Sequence, residues 1–170
     1  MTSTTIALRL ARVCDARAIA SMSRDLIEAG LGWSYRPERI VRLIHDRDST
    51  TLVADRQGKP VGFAIMGFGE ERAHLVLLAV DPAHHRRGIA RRMIEWLVES
   101  ACAAGIASLH LELRAGNAAA RAFYRKMHFT ETQLLPGYYR GAESAMRMER
   151  VLRVPEAPSF QWRPRTLDNC

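Results

Sequence analysis

The hydrophobic positions of the chain follow two periods in turn. Over residues 6–13, IALRLARV alternates apolar and polar side chains, the period-two pattern of a half-buried strand. Asp15 then stands where a helix cap belongs. Ile19, Met22, Leu26 and Ile27 recur at helical spacing across 16–29, and Gly30 supplies the stop. Pro37 suits the first turn of a second, short helix whose apolar face carries Ile40, Val41 and Ile44. Residues 50–54 and 60–67 flank the turn DRQGK and predict a hairpin. Residues 72–80 read as a longer strand, rich in Leu and Val, that stops at Asp81-Pro82. The clearest single element is a helix over 89–104. There Ile89, Met93, Leu97 and Ala101 form one stripe with Ile94 and Val98 beside it, and Gly105 closes the element. SLHLEL, residues 108–113, alternates again. A helix over 117–127 and strands over 129–135 and 144–151 complete the series.

The order β-α-α-β-β-β-α-β-α-β-β predicts a mixed α/β fold with a largely antiparallel sheet. At 170 residues and 48% hydrophobic composition, the chain suits one domain with a real core. We place that domain at 1–154. Residues 155–170, with Pro155, Pro158 and Pro164 and no periodicity, read as a Pro-rich extension that the chemistry does not need, although Phe160 and Trp162 suit a packed surface better than free solvent.

No window approaches the roughly 20 apolar residues that cross a bilayer, and the first residues show no basic-then-apolar leader. Cys14, Cys102 and Cys170 lie far apart and are odd in number, which suggests neither a disulfide framework nor a metal site and fits a reducing cytoplasm. The formal charge is +7, carried almost wholly by arginine, since Lys59 and Lys126 are the only lysines. A basic surface attracts polyanions: nucleic acid, an acidic protein or a phosphorylated cofactor. It is equally what a solvated, arginine-rich surface looks like, so charge alone selects no partner.

Chemistry concentrates in LLAVDPAHHRRGIARRMI, residues 77–94. A strand enters a short loop, and Gly88 opens an amphipathic helix. Free N–H groups and the dipole at a helix start bind phosphate. Gly88 and Ala90 are small enough to let a phosphate approach the main chain, and Arg86, Arg87 and Arg91 add charge beside it. A strand–loop–helix with glycine at the junction is also common without any ligand.

VDPAHHRRGIARRMI resembles the acetyl-CoA pyrophosphate loop of the GNAT superfamily of N-acetyltransferases, usually Gln/Arg-x-x-Gly-x-Gly/Ala. His85, Gly88 and Ala90 fall on those positions, with His85 departing from the usual Gln or Arg. LHLELRAGNAAARAFYRKMHF, residues 109–129, resembles the second signature of the same superfamily through Asn117, Ala120 and Tyr124, which share one helix face. His128 stands where many relatives have Gly before the Phe, so a positive φ is expected there. The resemblance spans residues 5–150 and implies a GNAT fold: seven mostly antiparallel strands flanked by about four helices. Glu112, Tyr124, the pair Tyr138-Tyr139 followed by Glu143, and Gly32-Trp33-Ser34 are further similar to the RimI-like branch, the protein N-terminal (alanine) acetyltransferases.

The resemblance implies direct attack of an amine on the thioester of acetyl-CoA. That reaction needs a base, an oxyanion donor and an acid for the departing thiolate. Tyr124 is the candidate acid; as a residue alone it could equally be a core tyrosine beside Phe123. Glu112 is the candidate base, through a water; SLHLEL puts it on one polar strand face with Ser108 and His110, which a merely solvated face would also show. The resemblance places the cofactor along Leu78, Ala79 and Val80, with a backbone N–H there as oxyanion donor. It then meets the loop and helix start from His85 through Arg86, Arg87, Gly88, Ile89 and Ala90 to Arg91, and Asn117, Ala120 and Tyr124. Asn117 serves equally well as a helix N-cap. Trp33, Glu112, Tyr138 and Tyr139 are candidates for the acceptor groove, with ordinary packing the alternative for the aromatics.

His74, His84 and His85 lack ligand spacing, so no metal is expected, and they read as solvated loop histidines. The implied acceptor is a protein or peptide N-terminus. A small amine, a lysine side chain or a non-catalytic acyl-CoA-binding role are the alternatives. No nucleic-acid recognition motif accompanies the charge. A monomer or homodimer is expected, without a membrane partner.

Overall fold

A computed structural model describes residues 5–153; the Pro-rich tail 155–170 lies outside the described residues. Strand β1 (Ala7–Leu10) leads through a short 3-10 turn into helices α1 (Ala16–Leu26) and α2 (Pro37–His45). Strands β2 (Ser49–Arg56), β3 (Lys59–Phe68) and β4 (Arg72–Val80) form a meander. Helix α3 (Ile89–Ala103), strand β5 (Ser108–Arg114), helix α4 (Ala118–Lys126) and strands β6 (Thr130–Tyr139) and β7 (Glu143–Val151) follow. The seven strands lie in the order β1-β2-β3-β4-β5-β7-β6, and every pair is antiparallel except β4 with β5. The expected mixed, mostly antiparallel α/β fold is therefore the observed one. No helix among the described residues is long and apolar enough to cross a membrane.

The sheet is sealed differently on its two faces. Ile89, Met93, Leu97 and Ala101 of α3 lie over β3 and β4 and share one core with Leu109, Leu111 and Leu113 of β5, so the stripe and the alternation each bury the side the pattern indicates. On the other face Ile19 and Ile40 of α1 and α2 cover Val53, Phe63 and Ile65.

Strand β4 serves both cores, and a bulge explains how. Met66 pairs with Leu75 but Ile65 with Leu77, which leaves Val76 as the extra residue. Strict alternation would put residues 73, 75, 77 and 79 on one face. Instead Ala73 and Leu75 join the α3 side while Leu77 and Ala79 join the α1–α2 side. No feature of RAHLVLLAV marks Val76 as the point of the switch.

The parallel pairing of β4 with β5 is confined to Arg72–Ser108, Ala73–Leu109 and His74–His110. Beyond His74 the two strands part. From Val76 to Val80 the backbone groups on that side of β4 have no strand partner among the described residues.

Two local expectations met different fates. His128 takes φ +66, as its place at the end of α4 requires. Asp15 does not cap α1. Its carboxylate accepts from the Arg12 backbone N–H (2.7 Å) and from both terminal nitrogens of Arg9 (2.7 and 3.0 Å), and Arg9 also bridges to Asp55 on β2. This knot turns the chain out of β1, which is why the strand ends at Leu10 and not at 13.

The hydrogen bond from Arg9 lowers the pKa of Asp15. A lowered folded-state pKa stabilises the fold above the unfolded value, about 3.9, and that contribution disappears as pH falls below it. We expect Asp15→Asn to cost about 1.5–3 kcal/mol at pH 7. Urea titrations should show the gap from wild type closing as pH drops toward 3. A gap that is independent of pH would contradict the ionic assignment.

Candidate active site

Where β4 and β5 part, two adjoining cavities open. The first, of about 270 Å³, runs between the two strands and is bounded by Leu78, Glu112, Asn117, Ala120, Tyr124 and Tyr139. The second, of about 280 Å³, lies toward α1 and the β6–β7 hairpin, among Glu28, Tyr35, His74, Glu112, Tyr138 and Tyr139. Glu112 and Tyr139 border both.

Tyr124 projects from α4 into the first cavity with 8% of its surface exposed, its ring edge-on to Phe123 and Phe129. No described residue bonds its hydroxyl, and the oxygen is not among the sealed, unpartnered atoms. The hydroxyl therefore opens onto the cavity, unlike that of a core tyrosine bonded at the protein edge. Burial raises its pKa well above the usual phenol value, so it stays protonated.

Glu112 lies at the centre of a polar ladder on the sheet. Its Oε1 accepts from Arg147 Nε of β7 (2.8 Å) and its Oε2 is bonded to His74 Nε2 of β4 (2.7 Å). These two bonds, with that from His74 the stronger influence, hold the carboxyl at about 2 despite its burial. His110 stacks on His74 with ring centroids 4.5 Å apart and planes within 2°. His74 is thus neither in a loop nor simply solvated, contrary to the sequence reading. The reason is the Val76 bulge and the β4–β5 pairing, which place His74 opposite His110 and beside Glu112. His84 is also buried rather than solvated, at 8% exposure.

His74, His110 and Glu112 form a group whose possible ligand atoms lie within 4.8 Å of one another. Two lone pairs lying in parallel, separated ring planes cannot converge on one ion, and Arg147 already holds the carboxylate. As arranged, His74 and Glu112 are hydrogen-bonded and His110 is held by stacking.

The segment from β4 into α3 keeps its loop shape through backbone-directed bonds. Asp81 caps a 3-10 turn by accepting from Ala83 N–H, and His85 Nε2–H donates to the Val80 carbonyl (2.7 Å). His85 thus clamps the loop onto the end of β4. Gly88 is the N-cap of α3 at φ +71, a left-handed position that favours glycine, and no atom lies within 4 Å of where a Cβ would stand. The helix start is open and presents its first N–H groups outward. Arg86 and Arg87 are exposed beside it. Arg91 is paired with Glu95 one turn on (2.7 Å), so its charge is partly committed within the helix. Asn117 Oδ1 accepts from Ala120 N–H (3.1 Å): the capping role is real, and the residue still borders the first cavity.

Tyr138 and Tyr139 meet edge-on at the second cavity, and burial pushes the Tyr139 phenol up to about 12. Trp33 borders neither cavity. Its indole N–H donates to the Ala20 carbonyl (3.2 Å), and Arg24 and Arg36 lie over its ring, so it fastens the α1–α2 loop to α1.

Three residues that carry the site gave no periodic signal in the sequence. Glu28, 8% exposed, accepts from Ser23 Oγ, Ser34 N–H and Tyr35 N–H and so shapes the loop over the second cavity. Arg114 donates to the Ile27 and Ala29 carbonyls and to Glu143, joining that loop to β5 and β7. Arg140 packs over Gly32, its guanidinium lying where a Cβ would otherwise stand. A charged residue at the end of an apolar run, as at Glu28 and Arg114, is the only clue the sequence offered.

Residues 19–129 match the family model described as Acetyltransferase (GNAT) family. The chain belongs to the GNAT acetyltransferase family. A ribosomal protein bS18-alanine N-acetyltransferase of Escherichia coli K12 is 39% identical over 84 residues, which are 49% of this chain and 57% of that protein. The aligned part of the chain thus spans little more than half the length of that curated relative. The crystal structure of the ribosomal-protein-S18-alanine N-acetyltransferase from Escherichia coli superposes with a TM-score of 0.78 at 26% identity, covering 93% of this chain and 99% of that one. A putative acetyltransferase from Salmonella typhimurium, solved with its cofactor acetyl-CoA, shares the fold at a TM-score of 0.77 and 20% identity, over 92% and 99% of the two chains.

The residues present suit acetyl-CoA as cosubstrate. The open helix start at Gly88 fits a pyrophosphate, and the unpartnered edge of β4 fits an extended arm carrying amide groups. Acetyl-CoA is expected to raise the melting temperature of the wild type, and Gly88→Glu to abolish that rise by adding bulk and negative charge. Left-handed backbone at a non-glycine residue costs roughly 1–3 kcal/mol, so the variant's own melting curve is the control. Equal acetyl-CoA binding by the two proteins in calorimetry would overturn the loop assignment.

Proposed function

We propose that the protein transfers the acetyl group of acetyl-CoA to the α-amine of a protein or peptide N-terminus. One observation carries this reading: the Tyr124 hydroxyl and the Glu112 carboxylate border the same cavity, at the point where β4 leaves β5. A donor for a leaving group and an anion for an incoming amine therefore face one reaction space.

The cosubstrate supplies an activated acyl thioester. Leu78, Ala79 and Val80 hold its arm by strand addition, with a β4 N–H turned to the developing oxyanion. Arg86, Arg87, Gly88, Ile89, Ala90 and Arg91 receive its phosphates, with His85 keeping their loop in shape. Asn117 and Ala120 line the way to Tyr124. Tyr124 donates to the departing sulfur. Its raised pKa makes complete transfer to a thiolate, with a reference value near 8.5, uphill at first. Its first contribution is therefore a hydrogen bond that strengthens as charge builds on sulfur.

The acceptor side favours an α-amine. The carboxylates bordering the second cavity are already engaged, Glu28 by three donors within its loop and Glu112 by Arg147 and His74. Arg140 stands at the same cavity. A polycation finds no anionic wall there. An α-amine, with a reference pKa of about 7.7–8.0 against about 10.4 for lysine, loses its proton with little help. Tyr138 and Tyr139 offer apolar faces to the residues behind that amine, and their hydroxyls offer polar contacts. The relatives named as ribosomal-protein alanine N-acetyltransferases, and one named N-alpha-acetyltransferase, support the same choice. The exposed, free thiols of Cys14 and Cys102 suit a reducing cytoplasm, where such acceptors arise.

Thiol release from acetyl-CoA, measured against a panel of N-terminal peptides, lysine peptides and small amines, tests the acceptor. Peptides with a free α-amine should be turned over, and the same peptides blocked at that amine should not. Preference for a polyamine or for a lysine side chain would overturn the acceptor assignment.

Tyr124→Phe keeps the ring and its packing. It should lower turnover by ~10²-fold or more while leaving acetyl-CoA affinity and the denaturation midpoint near wild type. Single-turnover rates within about threefold of wild type would remove Tyr124 from the chemistry, and measuring the chemical step directly excludes masking by slow product release.

A further inference from the structure

We propose that His74 is the group that takes the proton from the acceptor amine, and that Glu112 acts through it as a positioning residue. This rests on the acetyltransferase reading above and changes the division of labour within it.

Glu112 has little capacity left to accept a proton. Both of its oxygens are engaged, Oε1 by Arg147 and Oε2 by His74, and its side chain is 6% exposed. A carboxyl held at about 2 is a weak proton acceptor at neutral pH, since efficient base catalysis wants a pKa near the working pH. To receive a proton, it would have to release a bond to Arg147 or His74.

His74 is placed the other way round. Its side chain is 38% exposed and borders the acceptor cavity, but not the cavity that holds Tyr124. Because Glu112 is ionised, Oε2 can only accept, so His74 Nε2 carries the hydrogen. The lone pair of the neutral ring then lies on Nδ1. No described residue bonds Nδ1, and it is not among the sealed, unpartnered atoms. The arrangement has the logic of a carboxylate–imidazole pair: the anion fixes the tautomer and the opposite nitrogen does the accepting.

The surroundings hold the ring in place. His110 stacks parallel on it, and burial followed by the charge of His74 lowers the His110 pKa. The charged and titratable groups facing the ring's cavity from the neighbouring elements are Glu112 and His110 on β5, Arg147 and Glu149 on β7, Tyr138 and Tyr139 on β6, Arg140 after it, Glu28 after α1 and Tyr35 before α2. Arg72 on His74's own strand is paired with Glu149 at 3.4 Å. Arg147 balances Glu112 while His74 is neutral, and Glu112 remains the direct counter-ion once His74 is protonated.

The step balances as follows. The amine nitrogen forms its bond to the acyl carbon, and the carbon–sulfur bond breaks with its electron pair leaving on sulfur. The nitrogen's proton passes to His74 Nδ1, and sulfur takes a proton with Tyr124 as donor. His74 then returns its proton to solvent and Tyr124 recovers one from it. The products are the amide and the free thiol.

The test compares wild type with His74→Gln, His74→Ala, Glu112→Gln and the His74→Gln/Glu112→Gln double variant. Single-turnover rates are measured on an α-amine peptide, with acetyl-CoA affinity and melting temperature on the same samples. His74→Gln keeps a donor for Glu112 but has no basic nitrogen. It should slow the chemical step by ~10²-fold or more with acetyl-CoA affinity unchanged. Added imidazole should restore part of the rate to His74→Ala and none to Glu112→Gln. The double variant should be no slower than His74→Gln, as expected of residues that act as a unit.

A His74→Gln rate within about threefold of wild type, beside a large loss in Glu112→Gln, would return the base role to Glu112 and overturn the proposal. So would losses that multiply in the double variant. A wild type that binds acetyl-CoA but turns over no amine would instead overturn the acetyltransferase reading itself, before any variant is compared.

Discussion

The parting of β4 from β5 is the constraint on which the rest of this structure depends. Inside a sheet every backbone donor and acceptor is expected to find a partner. Here pairing stops at His74, and the bulge at Val76 turns the remainder of β4 toward the other core. A row of unpartnered main-chain groups is thereby kept next to a cavity. The cost of leaving them unpaired is offset only by solvent or by a ligand that replaces the missing strand. The apolar residues of α3 and of β5 belong to one core beneath the split, which anchors both strands where they part.

Charge is distributed around the split in a way that matches its two sides. On the side of the α3 N-terminus, exposed Arg86 and Arg87 flank a helix start with no acidic residue in its first turn. On the acceptor side every acidic group is tied down: Glu28 by loop amides and a serine, Glu112 by a histidine and an arginine, Glu143 by Arg114. The net positive charge of the chain is therefore not a general polyanion surface alone. Beside the start of α3 it lies on the exposed Arg86 and Arg87, and around Glu112 and Glu143 it is matched pairwise. Partly buried pairs of this kind fix geometry more surely than they add stability.

The sequence made the element order, the α3 stripe and the Leu-rich face of β5 legible because each follows a local period set by backbone geometry. The placement of Gly88 at the start of α3 and of Asn117 and Tyr124 on or at α4 was legible because motif spacing reflects one helix face or one turn. What stayed hidden depends on register between distant strands. His74 could not be placed beside Glu112 without the Val76 bulge and the β4–β5 pairing, and Arg147 could not be placed there without the β5–β7 register that pairs it with Glu112. Asp15 misled for a related reason: its position fits a cap, but Arg9 and the Arg12 N–H compete for the same oxygens. Trp33 fell in the expected loop, yet the Ala20 carbonyl draws its indole away from the cavity.

The most direct measurement is amide hydrogen exchange on β4 with and without acetyl-CoA. Exchange reports the opening of individual backbone hydrogen bonds, and an arm added to the strand would give partners to groups that now lack them. Slowed exchange between Val76 and Val80 on acetyl-CoA binding, with Arg72 to His74 unchanged because β5 already pairs them, is the predicted result. Binding that protects the start of α3 but leaves Val76 to Val80 untouched would contradict the account, since the split in the sheet would then have no part in holding the cosubstrate.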